Sequence, residues 1–175
     1  MHHSLTLAAA AAALAFTVAA PAQAAEVFAG AYIHDVDTPL TFSGVEKGVD
    51  VQAGVRGGRI GATPLQPYAF IAVNTSGATS YGAVGLSARF GHRLYVRPGL
   101  GLALHNGSTR NFNLPGNGKI EFGSRILFEP ELAVGMEIAP RTSIEASWVH
   151  MSHATLFSRQ NPGIDNFGLR LNFAL

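Results

Sequence analysis

From residue 25 onward, apolar residues recur at every second position over long stretches. Val49, Val51, Ala53 and Val55 alternate with Asp50, Gln52 and Arg56. Leu94, Val96, Leu100, Leu102 and Leu104 oppose Tyr95, Arg97 and His105. Ile126, Phe128, Leu132, Val134, Met136 and Ile138 oppose Arg125, Glu129, Glu131 and Glu137, and Phe167, Leu169, Leu171, Phe173 and Leu175 oppose Arg170 and Asn172. Side chains two apart in a strand share a face, so this pattern predicts strands with one apolar and one polar face. Eight such segments are separated by clusters of Gly, Pro, Asn and Ser: 26–34, 49–60, 67–75, 79–90, 93–106, 122–138, 142–153 and 164–175. No capped segment with the helical period interrupts them. Pro98 and Pro130 fall inside predicted strands, where a proline removes a ladder donor, and they predict bulges.

Residues 1–24 read differently. An apolar run from Leu5 to Ala20 leads to Ala22-Gln23-Ala24, a small-x-small cleavage site, and is too short to span a bilayer. It is expected to be a secretory signal, leaving residues 25–175 as one domain. The chain has no cysteine, so neither a disulfide framework nor a thiolate metal site is expected. A net charge of +1 argues against nucleic acid as a partner. Charged residues make up only 13% of the chain, low for a soluble domain. An exported, charge-poor, all-β chain points to an eight-stranded antiparallel up-and-down β-barrel in the outer membrane of a Gram-negative cell, apolar face outward. Short turns at 61–66, 91–92 and 139–141 would face the periplasm, and 35–48, 76–78, 107–121 and 154–163 the exterior. The lumen would hold ion pairs, with Glu129 and Glu131 meeting Arg97 and Arg125.

The alternation also locates candidate chemistry. His150 and Ser152 are in phase with the lipid-facing Ile144, Ala146 and Trp148, and Asp165 is in phase with Phe167, Leu169 and Leu171. All three polar groups therefore fall on the outer face, at the exterior end of one hairpin, with Trp148 as an interfacial residue beside them. A serine, a histidine and an acid are the parts of a serine hydrolase: Ser152 would attack an ester carbonyl, His150 would take its proton, and Asp165 would orient the imidazole. A His-x-Ser pair alone is common; the in-phase acid and the barrel give it weight. His150 and His153, three apart on a strand, point to opposite faces and chelate poorly, so no metal is expected.

The motif His150-Met151-Ser152-His153-Ala154-Thr155, followed by Asn161-Pro162-Gly163-Ile164-Asp165, resembles that of the lipid A 3-O-deacylases, the PagL family of outer-membrane hydrolases. The resemblance is sharpest over 148–168. It implies a lipid-facing triad, hydrolysis of the acyl ester at position 3 of lipid A, lipopolysaccharide as substrate, and neither metal nor cofactor. Three positions depart from the family pattern. Asp165 stands where Glu is usual, after a segment one residue longer. His153 and Thr155 stand at the Asn and Gly that hold the oxyanion, and strict alternation would instead turn His153 to the lumen. Trp148 and Arg159 are candidate substrate contacts; Arg110, Lys119 and Arg159 lie in outward loops, with Arg159 best placed for lipid A phosphates. A homodimer stays open. So do two other functions: a non-catalytic structural or adhesive barrel, and a phospholipase using the same triad.

Overall fold

A computed structural model describes residues 25–41, 44–110, 117–157, 159 and 161–175. The expected signal, 1–24, and parts of the outward loops lie outside these residues. The chain forms eight long strands: β1 (Glu26–Ile33), β2 (Val49–Arg56), β3 (Leu65–Asn74), β4 (Tyr81–Ala88), β5 (Leu94–His105), β6 (Ile126–Ala139), β7 (Thr142–Met151) and β8 (Ile164–Ala174). A two-residue piece, Phe90–Gly91, pairs with the start of β5. Each strand pairs antiparallel with its sequence neighbours, and β1 pairs with β8, with Ala29 opposite Leu171. The sheet is thereby closed into the expected eight-stranded up-and-down barrel. Closure leaves no edge strand, which a bilayer requires because no water is there to bond exposed backbone groups.

The prolines behave differently from expectation. Pro98 lies opposite Leu132 and Pro130 opposite Leu100 within an unbroken register, while the register shift between β6 and β7 lies at Glu137 and Ala139. Each proline removes one donor without displacing the ladder.

The two faces separate as the alternation predicts. Val51, Ile71, Leu100, Val134 and Leu169 are exposed on the outside, where only lipid can cover them. Inside, Arg56, Arg97 and Arg170 are buried. Arg56 and Arg97 each reach Glu26 at 2.9 Å, Arg97 and Arg170 reach Glu145 at 3.0 and 2.8 Å, and Arg170 reaches Glu131 at 3.0 Å. The guanidinium carbons of Arg56 and Arg170 stand 5.0 and 4.8 Å from the centre of the Phe28 ring. The expected partners are thus partly corrected. Glu129 takes a hydrogen bond from the Tyr68 hydroxyl, Glu131 meets Arg170, and Arg97 serves Glu26 and Glu145. Arg125 precedes β6, so the alternation no longer governs it; it is exposed and donates to the carbonyls of His105 and Gly107. Towards the exterior an apolar cluster joins the buried polar groups His34, Glu46, Asp50 and Asn166. Leu127, Val149, Met151 and Ile164 are buried with Ile120 and Phe122, which fold in from the loop between β5 and β6. The interior is a packed core, and chemistry on a lipid must happen outside it.

Candidate active site at the exterior end of the β7–β8 hairpin

The hairpin register brings the sequence candidates together. His150 lies opposite Asp165, and β7 continues past Met151 into a bridge between Ser152 and Phe128. Residues directly opposite share a face, and Phe128 is on the outward phase of β6, so Ser152 is on the outer face. His150 Nε2 is 3.0 Å from Ser152 Oγ, and His150 Nδ1 is 2.9 Å from Asp165 Oδ1. Ser152 is 9% exposed and the His150 side chain 14%, which leaves both within reach of a ligand from the membrane side.

Asp165 departs from expectation in one respect. It has the outward phase of β8, yet it is fully buried. The first outward loop covers it. Val36 N–H donates to the Asp165 carbonyl, and the hydroxyls of Thr38 and Thr41 donate to Asp165 Oδ2, Thr41 at 3.2 Å. Oδ1 accepts from Trp148 Nε1 at 2.7 Å as well as from His150. Among the described residues four donors meet the four acceptor positions of one carboxylate, which is how a buried carboxylate stays ionised without water. An ionised carboxylate only accepts, so His150 Nδ1 must carry the proton and Nε2 offers its lone pair to the Ser152 hydroxyl.

The loop over Asp165 is itself fastened. Asp35, in the left-handed region at φ 53, accepts the N–H groups of Val45 and Glu46 on Oδ2, both at 2.8 Å, and its own N–H donates to Asn166 Oδ1. His34 lies between Asp50 at 2.9 Å and Glu46 at 3.1 Å. Burial works against charge on His34, but the hydrogen bonds of Asp50 and Glu46 outweigh it and hold its pKa up at about 9. Burial likewise opposes charge on Glu46, yet hydrogen bonds from His34 and from the N–H groups of Thr79 and Ile120 hold it down at about 2.

The remaining candidates are placed as follows. Trp148 touches the site directly, through its bond to Asp165, with its ring 5.9 Å from that of His150. His153 lies beyond the end of β7, where alternation stops. It is fully buried, neither ring nitrogen has a partner among the described residues, its ring is 6.1 Å from that of Phe157, and its backbone N–H donates to Asn161 Oδ1 at 2.9 Å. Ala154 and Thr155 both adopt left-handed backbone, at φ 52 and φ 60, a conformation that suits glycine and strains a β-branched residue. Arg159, Arg110 and Lys119 are exposed loop cations. Thr38 and Thr41 are not legible in the sequence, because nothing in a period-two pattern marks a loop hydroxyl, and Asn161 is legible only as part of the motif, not as the acceptor of the His153 N–H.

A model of the lipid A 3-O-deacylase (PagL) family matches residues 46–174. No curated protein matches the chain. Among solved structures, that of the outer membrane enzyme PagL aligns with a TM-score of 0.61 at 16% identity, covering 86% of this chain and 99% of that one. Neisserial surface protein A (NspA) aligns with a TM-score of 0.57 at 17% identity, covering 86% of this chain and 97% of that one. At such identities the two structures speak for the barrel alone, and one fold serves many functions. The family match covers most of the chain and includes the whole β7–β8 hairpin, and by it this protein belongs to the lipid A 3-O-deacylase (PagL) family of the outer membrane.

Proposed function

We propose that the protein is a serine esterase that removes the acyl chain ester-linked at position 3 of lipid A. Lipid A in the outer leaflet slides its ester over the outer face of the hairpin. Ser152 Oγ attacks the carbonyl carbon while its proton passes to His150 Nε2. Asp165 holds Nδ1–H and stabilises the imidazolium. The tetrahedral intermediate collapses, the sugar oxygen leaves with the proton from His150, and the acyl group remains on Ser152. Water, deprotonated by the same imidazole, then attacks the acyl-enzyme and releases a fatty acid, returning the serine.

The observation that carries this reading is the unbroken chain from Asp165 Oδ1 to His150 Nδ1, and from Nε2 to Ser152 Oγ, at 2.9 and 3.0 Å on the membrane-facing side. Two donors are assigned to the oxyanion, the His153 ring and the Thr155 backbone N–H. A buried imidazole without a partner among the described residues carries a standing cost of about 1–3 kcal/mol, which an oxyanion would offset. Left-handed backbone at Thr155 holds the turn a glycine would adopt there, so the substitution need not move its N–H. Trp148 and Arg159 are assigned to the acyl chain and the lipid A phosphates. Mass spectrometry of lipid A from cells making the wild type or Ser152→Ala tests the reading. Loss of one hydroxyacyl chain from position 3 with the wild type alone is expected. Unchanged lipid A with a folded wild-type barrel, or fatty acid released from glycerophospholipid instead, would contradict it.

A further inference from the structure

We propose that Thr38 and Thr41 of the first outward loop are positioning residues for the esterase, making this loop part of its working apparatus. The inference rests on the triad reading above. His150 can be aimed at Ser152 only if Asp165 is itself fixed. On one oxygen Asp165 is held by Trp148 and His150, two groups of its own hairpin face. On the other it is held by the hydroxyls of Thr38 and Thr41, which come from a loop on the far side of β8. Without the hydroxyls, Oδ2 has no other donor among the described residues to oppose the pull of His150 and Trp148, and the carboxylate can rotate about its Cβ–Cγ bond. The loop delivers them accurately because it is tied down at both ends: through Val36 N–H to the Asp165 carbonyl, through Asp35 to Asn166 and to the N–H groups of Val45 and Glu46, and through His34 to Asp50 and Glu46. Both threonines precede residue 46, where the match to the family begins, so the hairpin motif does not contain this half of the carboxylate's support.

Hydroxyl function separates from loop packing by substitution with valine, which keeps the shape, and serine, which keeps the oxygen. Thr41→Val, Thr38→Val and the double variant would be compared with Thr38→Ser and Thr41→Ser as purified barrels in detergent micelles, on lipid A, with folding checked by heat-dependent gel mobility. Each single valine variant is expected to lose about ten-fold in kcat and the double about a hundred-fold, with KM unchanged, because a carboxylate hydrogen bond is worth about one power of ten. Each serine variant should retain turnover within a few-fold of the wild type. Thr38 also accepts the Leu40 N–H at 3.2 Å, so Thr41→Val is the cleaner single test. Wild-type kcat in the folded double valine variant would overturn the proposal, as would serine variants falling as far as the valine ones. Ser152→Ala run in the same assay separates the two levels. Activity surviving in it would overturn the triad reading and this inference with it, whereas an inactive Ser152→Ala beside a wild-type double valine variant would overturn this inference alone.

Discussion

Replacing Asp165 by Asn separates the charge of the site from its geometry. Among the described residues, Oδ1 of Asp165 faces two donors, Trp148 Nε1 at 2.7 Å and His150 Nδ1 at 2.9 Å, whereas both partners of Oδ2 are hydroxyls. Hydroxyls accept as readily as they donate. An asparagine at 165 therefore settles with its carbonyl at the Oδ1 position and its amide turned to Thr38 and Thr41. His150 keeps its Nδ1–H, and Nε2 stays aimed at Ser152. Only the charge opposing the transient imidazolium is lost. With charge centres about 4 Å apart and an effective dielectric of about 20, that attraction is about 4 kcal/mol. The retained neutral hydrogen bond returns about 1 kcal/mol. The net loss of about 3 kcal/mol corresponds to about two powers of ten in kcat. A triad in which asparagine imposes the wrong imidazole tautomer loses about ten-thousand-fold. Release of acyl chain from lipid A micelles at saturating substrate decides the matter. A wild-type rate would show that the charge plays no part, and a ten-thousand-fold loss would show that the amide faces His150 and that the threonine hydroxyls do not accept it.

Further outcomes follow from the packing and the loop. Arg170→Met leaves Glu145 with Arg97 and Glu131 with only a 3.7 Å approach from Arg56, so it should destabilise the barrel by about 3–5 kcal/mol; an unshifted urea midpoint, followed by the fluorescence of the single tryptophan, would refute this. The pKa of His34 is raised from 6.5 to about 9, so its hold on the first loop is complete below 6.5 and lost as pH rises through 9. The pKa of Glu46 is lowered from 4.5 to about 2, so the same pair is intact above 4.5 and lost as pH falls through 2. Amide exchange at Val45 and Glu46, corrected for intrinsic rates, should therefore be slowest between pH 4.5 and 6.5, and flat protection from pH 5 to 10 would contradict the clasp. Thr155→Gly relieves left-handed strain of about 1 kcal/mol and should slow proteolysis of the loop after Ser152 while keeping turnover; faster cleavage or lost activity would count against that backbone's role.

Much of the architecture was legible because membrane barrels obey a simple rule: lipid outside, packed polar groups inside. The alternation alone located all eight strands and the outward phase of His150 and Ser152. It failed where contacts cross the barrel or where the strand ends. Arg125 stands in no ion pair with Glu129 or Glu131 because it precedes β6, and the pairing of Arg170 with Glu131, two strands away, depends on stagger, which periodicity does not encode. The bulges predicted at Pro98 and Pro130 do not form, because a missing donor does not force a bulge when the pairing on either side holds. Asp165 has the outward phase that the alternation predicts, but its burial is not legible there, since its cover comes from a loop without periodic signal. Thr155 reads as a departure in composition, and only its φ of 60 reveals a glycine-like backbone.

The central claim is that Ser152 is a nucleophile activated by His150 and Asp165 on the membrane-facing side of the barrel. A long-chain alkyl fluorophosphonate, which phosphonylates activated serines and partitions into micelles, tests it most directly. Intact-mass and peptide analysis of the folded protein should show one phosphonyl group, on the peptide containing Ser152, absent in Ser152→Ala and greatly slowed in His150→Ala. Labelling at another serine, or equal labelling of Ser152 with and without His150, would contradict the account.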